Sequence, residues 1–215
     1  MANQQLQTLI EGIIIETFQQ INNAYCHNRE GHNLNNSFSR LVFPQYRMNG
    51  IRVSEQELRF AFVELFCDKI QKEGLGLLYS IETPTEHKYY FQKGELLVDN
   101  DKCISGCLDM VIYNAETSKR ICIIEFKAKT PGEKAYAKDF LKLNSELSEA
   151  GSPKSKYEKD AFGFFVQIIK NTNNKTVDNI RNNSKKIISS RMNGSIKHLC
   201  YSLQDGKGGK LVINE

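Results

Sequence analysis

No apolar run in the chain approaches the roughly 20 residues that a membrane-spanning helix needs. Near its start the longest such run, Ile13 to Ile15, is stopped by Glu16. The opening residues MANQQLQ carry neither the basic region nor the apolar stretch of a signal peptide. The expectation is therefore a cytoplasmic protein with no membrane contact. There is no internal repeat, and no second segment has a hydrophobic core of its own. Paired CxxC elements are also missing. Cys103 and Cys107 are close in sequence, as are Cys26, His27 and His32, but neither group has the partner set that structural zinc requires. The six cysteines, at 26, 67, 103, 107, 122 and 200, are expected to be reduced thiols, several acting as small hydrophobes within apolar runs.

What is present fits one domain of ordinary size: 215 residues, 40% hydrophobic and 25% charged. A formal charge of +4 permits a polyanionic partner without requiring one. The apolar stripe Leu6, Leu9, Ile10, Ile13, Ile14 and Phe18 predicts a helix over residues 6–24. The Asn-rich stretch 22–49 reads as loop. Ser54 followed by Glu57 is a capping-box signature opening a helix from Glu55 to about Glu73, which Gly74 and Gly76 close. Strands then follow: LLYSIE and HKYYF split by a Thr-Pro-Thr turn, ELLV, and an apolar hairpin over residues 103–130.

Beyond Pro131 and Gly132, EKAYAKDFLKLNSELSEA predicts a helix, and YEKDAFGFFVQIIKN reads as another. NTNNKTVDNIRNNSKKIISSR is helical in its later part, and IKHLCYSL and KLVIN close the chain as strands. This order predicts an α/β fold with a mixed central sheet flanked by helices. Residues 1–50, helix and Asn-rich loop, are expected to pack on or extend a domain formed by 51–215.

The hairpin holds a contradiction. Its two apolar runs, LDMVIY and ICIIEFK, carry Asp109, Glu125 and Lys127, although an unpaired buried charge is costly. Strand alternation puts Glu125 and Lys127 on one face and Phe126 on the other. A turn centred on Thr117 pairs Tyr113 with Ile121 and sets Asp109 directly opposite Glu125. Two carboxylates would then stand with β-carbons about 5 Å apart and repel. A cation between them resolves this. Lys127 is one, and a divalent metal, which takes oxygen ligands, is another. A plain buried ion pair at a strand end is the alternative.

The pattern GCLDMVIY, a short turn, then ICIIEFKAK resembles the PD-(D/E)XK nuclease superfamily, with Asp109, Glu125 and Lys127 as its acidic and (Asp/Glu)-x-Lys elements. Leu108 stands where that pattern has proline. The resemblance covers roughly residues 54–170. It implies a restriction-endonuclease-like fold and Mg²⁺- or Mn²⁺-dependent hydrolysis of phosphodiesters, in DNA rather than RNA, with restriction or phage defence as the setting. Asp109, Glu125 and the Phe126 backbone carbonyl would hold the metal, and Lys127 would orient or deprotonate the water. Glu64 in RFAFVELF would be an outer or second-metal ligand, and Gln167 in GFFVQII an auxiliary side chain. Lys129, Lys134, Lys138, Arg181, Lys185 and Lys186 form basic clusters suited to phosphates, and the apolar N-terminal helix offers a homodimer face. The rival expectation is an inactive nuclease-like subunit for nucleic-acid binding or assembly.

Overall fold

The computed structural model describes residues 3–28, 40–46, 50–92, 95–128, 133–170, 173–191, 195–204 and 208–215. Eleven elements run in the order α1 (Asn3–His27), α2 (Glu55–Lys72), β1 (Leu77–Gln92), β2 (Glu95–Val98), β3 (Ile104–Asn114), β4 (Arg120–Ala128), α3 (Glu133–Ser148), β5 (Tyr157–Lys170), α4 (Asn174–Arg191), β6 (Ser195–Leu203) and β7 (Lys210–Asn214). The strands form one seven-stranded sheet in the order β2-β1-β3-β4-β5-β6-β7. Neighbours β4, β5 and β6 are parallel and the other pairs antiparallel. This is an α/β fold with a mixed sheet and four flanking helices.

Two apolar layers follow from strand alternation. On one side Cys122, Ile124, Phe126, Phe164, Val166 and Leu199 pack against α1 and α2. On the other, Val111, Ile123, Phe165, Ile169 and Cys200 pack against Phe140, Leu143 and Leu147 of α3 and Ile180 of α4. Helix α1 buries Leu6, Ile10, Ile13, Ile14, Phe18, Ile21 and Tyr25, spaced three or four apart as one face of a helix requires. It is thus part of the core rather than an appendage. Asn28 ends the helix and accepts the Phe43 amide through its carbonyl. The rest of the Asn-rich segment falls largely outside the described residues. In α2, the Ser54 amide donates to the Glu57 carboxylate at 2.8 Å, closing one half of the expected capping box.

Two sequence expectations are corrected. The run from Tyr157 is strand β5, not a helix. It is buried on both faces, so it lacks the alternation that marks a half-exposed strand, and a short apolar run of that kind has no diagnostic period. The Thr-Pro-Thr segment is likewise no turn: β1 is continuous from Leu77 to Gln92, with a register shift against β3 between Pro84 and Lys88. Pro84 lies where β2 does not cover β1, and there a missing amide costs least.

The distal half of the β1–β3 ribbon leans onto α3. Glu146 of α3 is fully buried and accepts from the Glu86 and His87 amides at 3.1 and 3.3 Å, and from Tyr89 Oη at 2.6 Å and Tyr157 Oη at 2.5 Å. Gly163 of β5 lets α3 come this close, since a Cβ there would meet Leu147 Cδ1 at 3.1 Å. Arg120 lies 3.7 Å from the same carboxylate and donates to the Pro84 carbonyl at 3.1 Å. Removing Glu146 would leave two phenols and two amides without this acceptor, and would take one of two carboxylates from beside Arg120, which keeps Glu86 at 3.0 Å. Glu146→Ala is therefore expected to lower the unfolding free energy by about 3–5 kcal/mol, read from urea denaturation.

Candidate active site

The register expected for the hairpin is present through its centre: Met110 pairs with Ile124, Val111 with Ile123 and Ile112 with Cys122. It fails near the turn, where an irregularity pairs Tyr113 with Arg120 rather than Ile121. It also stops at Met110, one residue short of Asp109. Leu108 and Val111 both pack in the α3 layer, so β3 loses its alternation around Asp109. In β1 the break is matched by Glu82, which stands opposite Asp109 between the pairs Ile81–Met110 and Thr83–Leu108. Glu82 has φ of 51°, a left-handed conformation that a non-glycine residue adopts at a cost. Beyond this point the ribbon departs from β4 and opens a notch in the sheet.

Asp109 fills the notch. Its Oδ2 accepts the Phe126 amide at 2.7 Å, replacing the strand partner that β4 has lost. Its Oδ1 accepts from Arg59 of α2 at 2.8 Å, and the other end of the same guanidinium pairs with Glu82. Asp109 and Glu125 therefore do not stand side by side on one face as expected. The Asp109 carboxylate turns toward the exposed edge of β4, where Arg59 separates it from Glu82.

Glu125 points into the α3 layer and is 2% exposed. Lys142 Nζ lies 2.5 Å from its Oε1 and also donates to the Cys107 carbonyl at 2.8 Å. Among the described residues the Lys142 ammonium is what the buried Glu125 Oε1 faces. Lys127, two residues on, pairs with Asp139 of α3 at 3.2 Å and with Glu55 of α2 at 3.6 Å. Both helices thus send charges to the same end of the sheet, beside the carboxyl end of a parallel strand, where ligands of open α/β sheets bind.

Electrostatics follow from burial. Desolvation pushes the Glu125 carboxyl up, Lys142 opposes it, and Asp109 and Asp139 add to the rise, leaving the group at about 8. For Lys127 and Lys142 burial works against the charged form, but Asp139 with Glu55, and Glu125 with Asp139, outweigh it, and both ammonium groups are held above the ordinary lysine value.

Among the described residues, no group of three or more His, Cys, Asp or Glu side chains is placed to hold a metal ion. The donor chemistry nonetheless suits a hard divalent cation. Two carboxylates come from neighbouring strands, the buried Glu125 Oε1 is held by the Lys142 ammonium alone among the described residues, and the Phe126 carbonyl lies on the same edge of β4 as the amide that Asp109 accepts. Arg59 and Lys142 stand as the competing cations.

Other expected residues fall elsewhere. Glu64 is exposed on α2, without a hydrogen bond or ion pair to the described residues. It lies five residues past Arg59, about 140° around the helix from the side chain that reaches Asp109. Gln167 lies on strand β5, in register with Lys127, and is fully buried. Its Oε1 meets His198 Nε2 at 3.2 Å, and His198 Nδ1 meets Ser184 Oγ at 2.8 Å. Burial depresses His198 to about 3, so the ring is neutral and the chain is a structural brace behind the site. Lys138 is exposed on α3. Arg181 and Lys185 are tied to Glu215 at the end of the chain, at 3.3 and 3.4 Å. Lys129 lies outside the described residues, as do the side chains of Lys134 and Lys186.

The sequence gives no site role to Arg59, Glu82 or Asp139, and suggests Lys142 only as part of a basic cluster for phosphates, where the structure sets it against Glu125. A signal existed for two of them. Arg59 sits among Leu58, Ala61 and Phe62, and Lys142 between Leu141 and Leu143, both charges embedded in apolar helical stretches. Comparison with protein-family models, curated proteins and solved structures gives no significant match.

The raised Glu125 pKa has a thermodynamic sign. Between the ordinary carboxylate value of 4.5 and about 8, the folded protein holds a proton that the unfolded chain has released. Stability from this group is therefore present at low pH and lost as pH rises through that window. Glu125→Gln is expected to flatten the fall, measured by urea denaturation at about pH 5 and about pH 8. An unchanged slope would place the titrating group elsewhere.

Proposed function

We propose that this protein is a metal-dependent endonuclease hydrolysing phosphodiester bonds in DNA, serving restriction or phage defence, on a restriction-endonuclease-like fold. The observation that carries the reading is that Asp109, Glu125 and Lys127 flank the notch where β3 leaves β4, near enough for the Asp109 charge to act on both of the others. Asp109, Glu125 and the Phe126 carbonyl would hold Mg²⁺ or Mn²⁺. When bound, such an ion polarises a phosphate oxygen and makes hydroxide available near neutral pH.

The chain's own groups supply the rest. Lys127 stays cationic beside Asp139 and Glu55, so it serves to orient water and offset negative charge rather than to remove a proton. Glu125 must give up its proton to act as a ligand, which favours activity at the alkaline side of neutrality. Glu64, exposed on α2 and without a partner among the described residues, has no part in this arrangement.

One observation favours a second reading. Arg59 and Lys142 already neutralise Asp109 and Glu125, as in an inactive nuclease-like subunit that binds nucleic acid or assembles with a partner. Cleavage of plasmid and single-stranded DNA with and without Mg²⁺ separates the two. Glu125→Gln and Lys127→Ala are expected to lose metal-dependent cleavage by at least about a hundredfold with unchanged circular dichroism, whereas Glu64→Ala cuts at the wild-type rate. Absence of cleavage with either Mg²⁺ or Mn²⁺ selects the second reading, and full activity in Glu125→Gln removes Glu125 from the cleavage site.

A further inference from the structure

A cavity of about 320 Å³ opens between α3 and the leaning ribbon, lined by Tyr89, Tyr90, Phe91, Cys107, Lys138 and Lys142 among others. It adjoins the notch. Lys142 is a wall of this cavity and also the cation against Glu125, and its second contact, the Cys107 carbonyl, belongs to the cavity as well. One side chain therefore separates the two spaces.

We propose that this cavity receives an unpaired nucleobase of a single-stranded DNA segment whose backbone runs past the notch. The inference rests on the phosphodiesterase reading and adds the substrate class. Tyr89 and Phe91, two apart on β1 and so on one face of the strand, line it with rings, and an exposed Lys138 one helical turn before Lys142 offers charge to the neighbouring phosphate. Aromatic walls with interleaved lysines hold single strands by stacking and charge, without reading sequence. A base within a duplex has both faces covered by its neighbours and cannot enter such a cleft unless it is unstacked. Tyr89 Oη is already committed to Glu146, which fixes that ring as a rigid wall.

Cys107 provides a reporter. It is the exposed cysteine of the described structure, and it lines the cavity, whereas Cys103, Cys122 and Cys200 are buried. In EDTA, which removes hydrolysis from the measurement, fluorescein-labelled single-stranded oligothymidylate is expected to bind more tightly than a blunt duplex of the same length. Phe91→Ala and Lys138→Ala should each weaken that binding about tenfold. Saturating oligonucleotide should also slow alkylation of Cys107 in the wild-type protein, followed by peptide mass spectrometry. Lys138 is exposed, so its variant keeps the fold and gives a clean test even if Phe91→Ala does not. Wild-type affinity in Lys138→Ala, equal affinity for the duplex, or an unprotected Cys107 overturns the proposal. Hydrolysis with Mg²⁺ is scored separately. A protein that cuts DNA but leaves Cys107 unprotected loses this inference and keeps the nuclease reading, and one that protects Cys107 without cutting does the reverse.

Discussion

The organisation of this molecule depends on where strand β3 stops pairing with β4. A sheet edge left open inside a core exposes amides that must find acceptors, because an unpaired buried backbone group costs as much as a lost hydrogen bond. Asp109 meets that demand at the Phe126 amide, and Glu82 accepts a left-handed backbone on the neighbouring strand as the ribbon bends. The bend carries the outer ribbon onto α3. Without it the sheet would close over the site, and neither the notch nor the cavity beside it would exist.

Helix α3 is the second determinant. Asp139, Lys142 and Glu146 recur at spacings of three and four and so share one face, which is buried. A buried charged stripe is tolerable only when each member is matched, and each is: Asp139 by Lys127, Lys142 by Glu125 and the Cys107 carbonyl, and Glu146 by two phenols and two amides. The first two matches form the candidate site, and the third locks the ribbon that shapes it. Structural and chemical roles are thus carried by successive turns of one helix, linking the geometry of the site to the stability of the fold.

Most elements were legible because their signals are local. The stripe of α1, the Ser54–Glu57 start of α2 and the apolar run of β3 each lie within a few residues. The misreadings have equally definite causes. Strand β5 is covered on both sides, which erases the period of two, and the Thr-Pro-Thr segment reads as a turn only if one cannot see that β2 leaves that stretch of β1 uncovered. Glu64 was drawn in by its apolar neighbours, but on α2 the side chain that reaches the notch is Arg59.

By itself the sequence determined that Asp109, Glu125 and Lys127 lie on the two adjoining strands of one hairpin, while the register assumed from its turn holds only through the centre, from Met110 to Ile112. It also determined that such charges in apolar strands require partners. Which partners they take was decided only by the tertiary structure. Arg59 and Asp109 are 50 residues apart, and Lys142 reaches Glu125 from a helix that crosses back over the sheet. Pairings of that kind depend on the stacking of layers and on the bend at Glu82, and no local pattern encodes either.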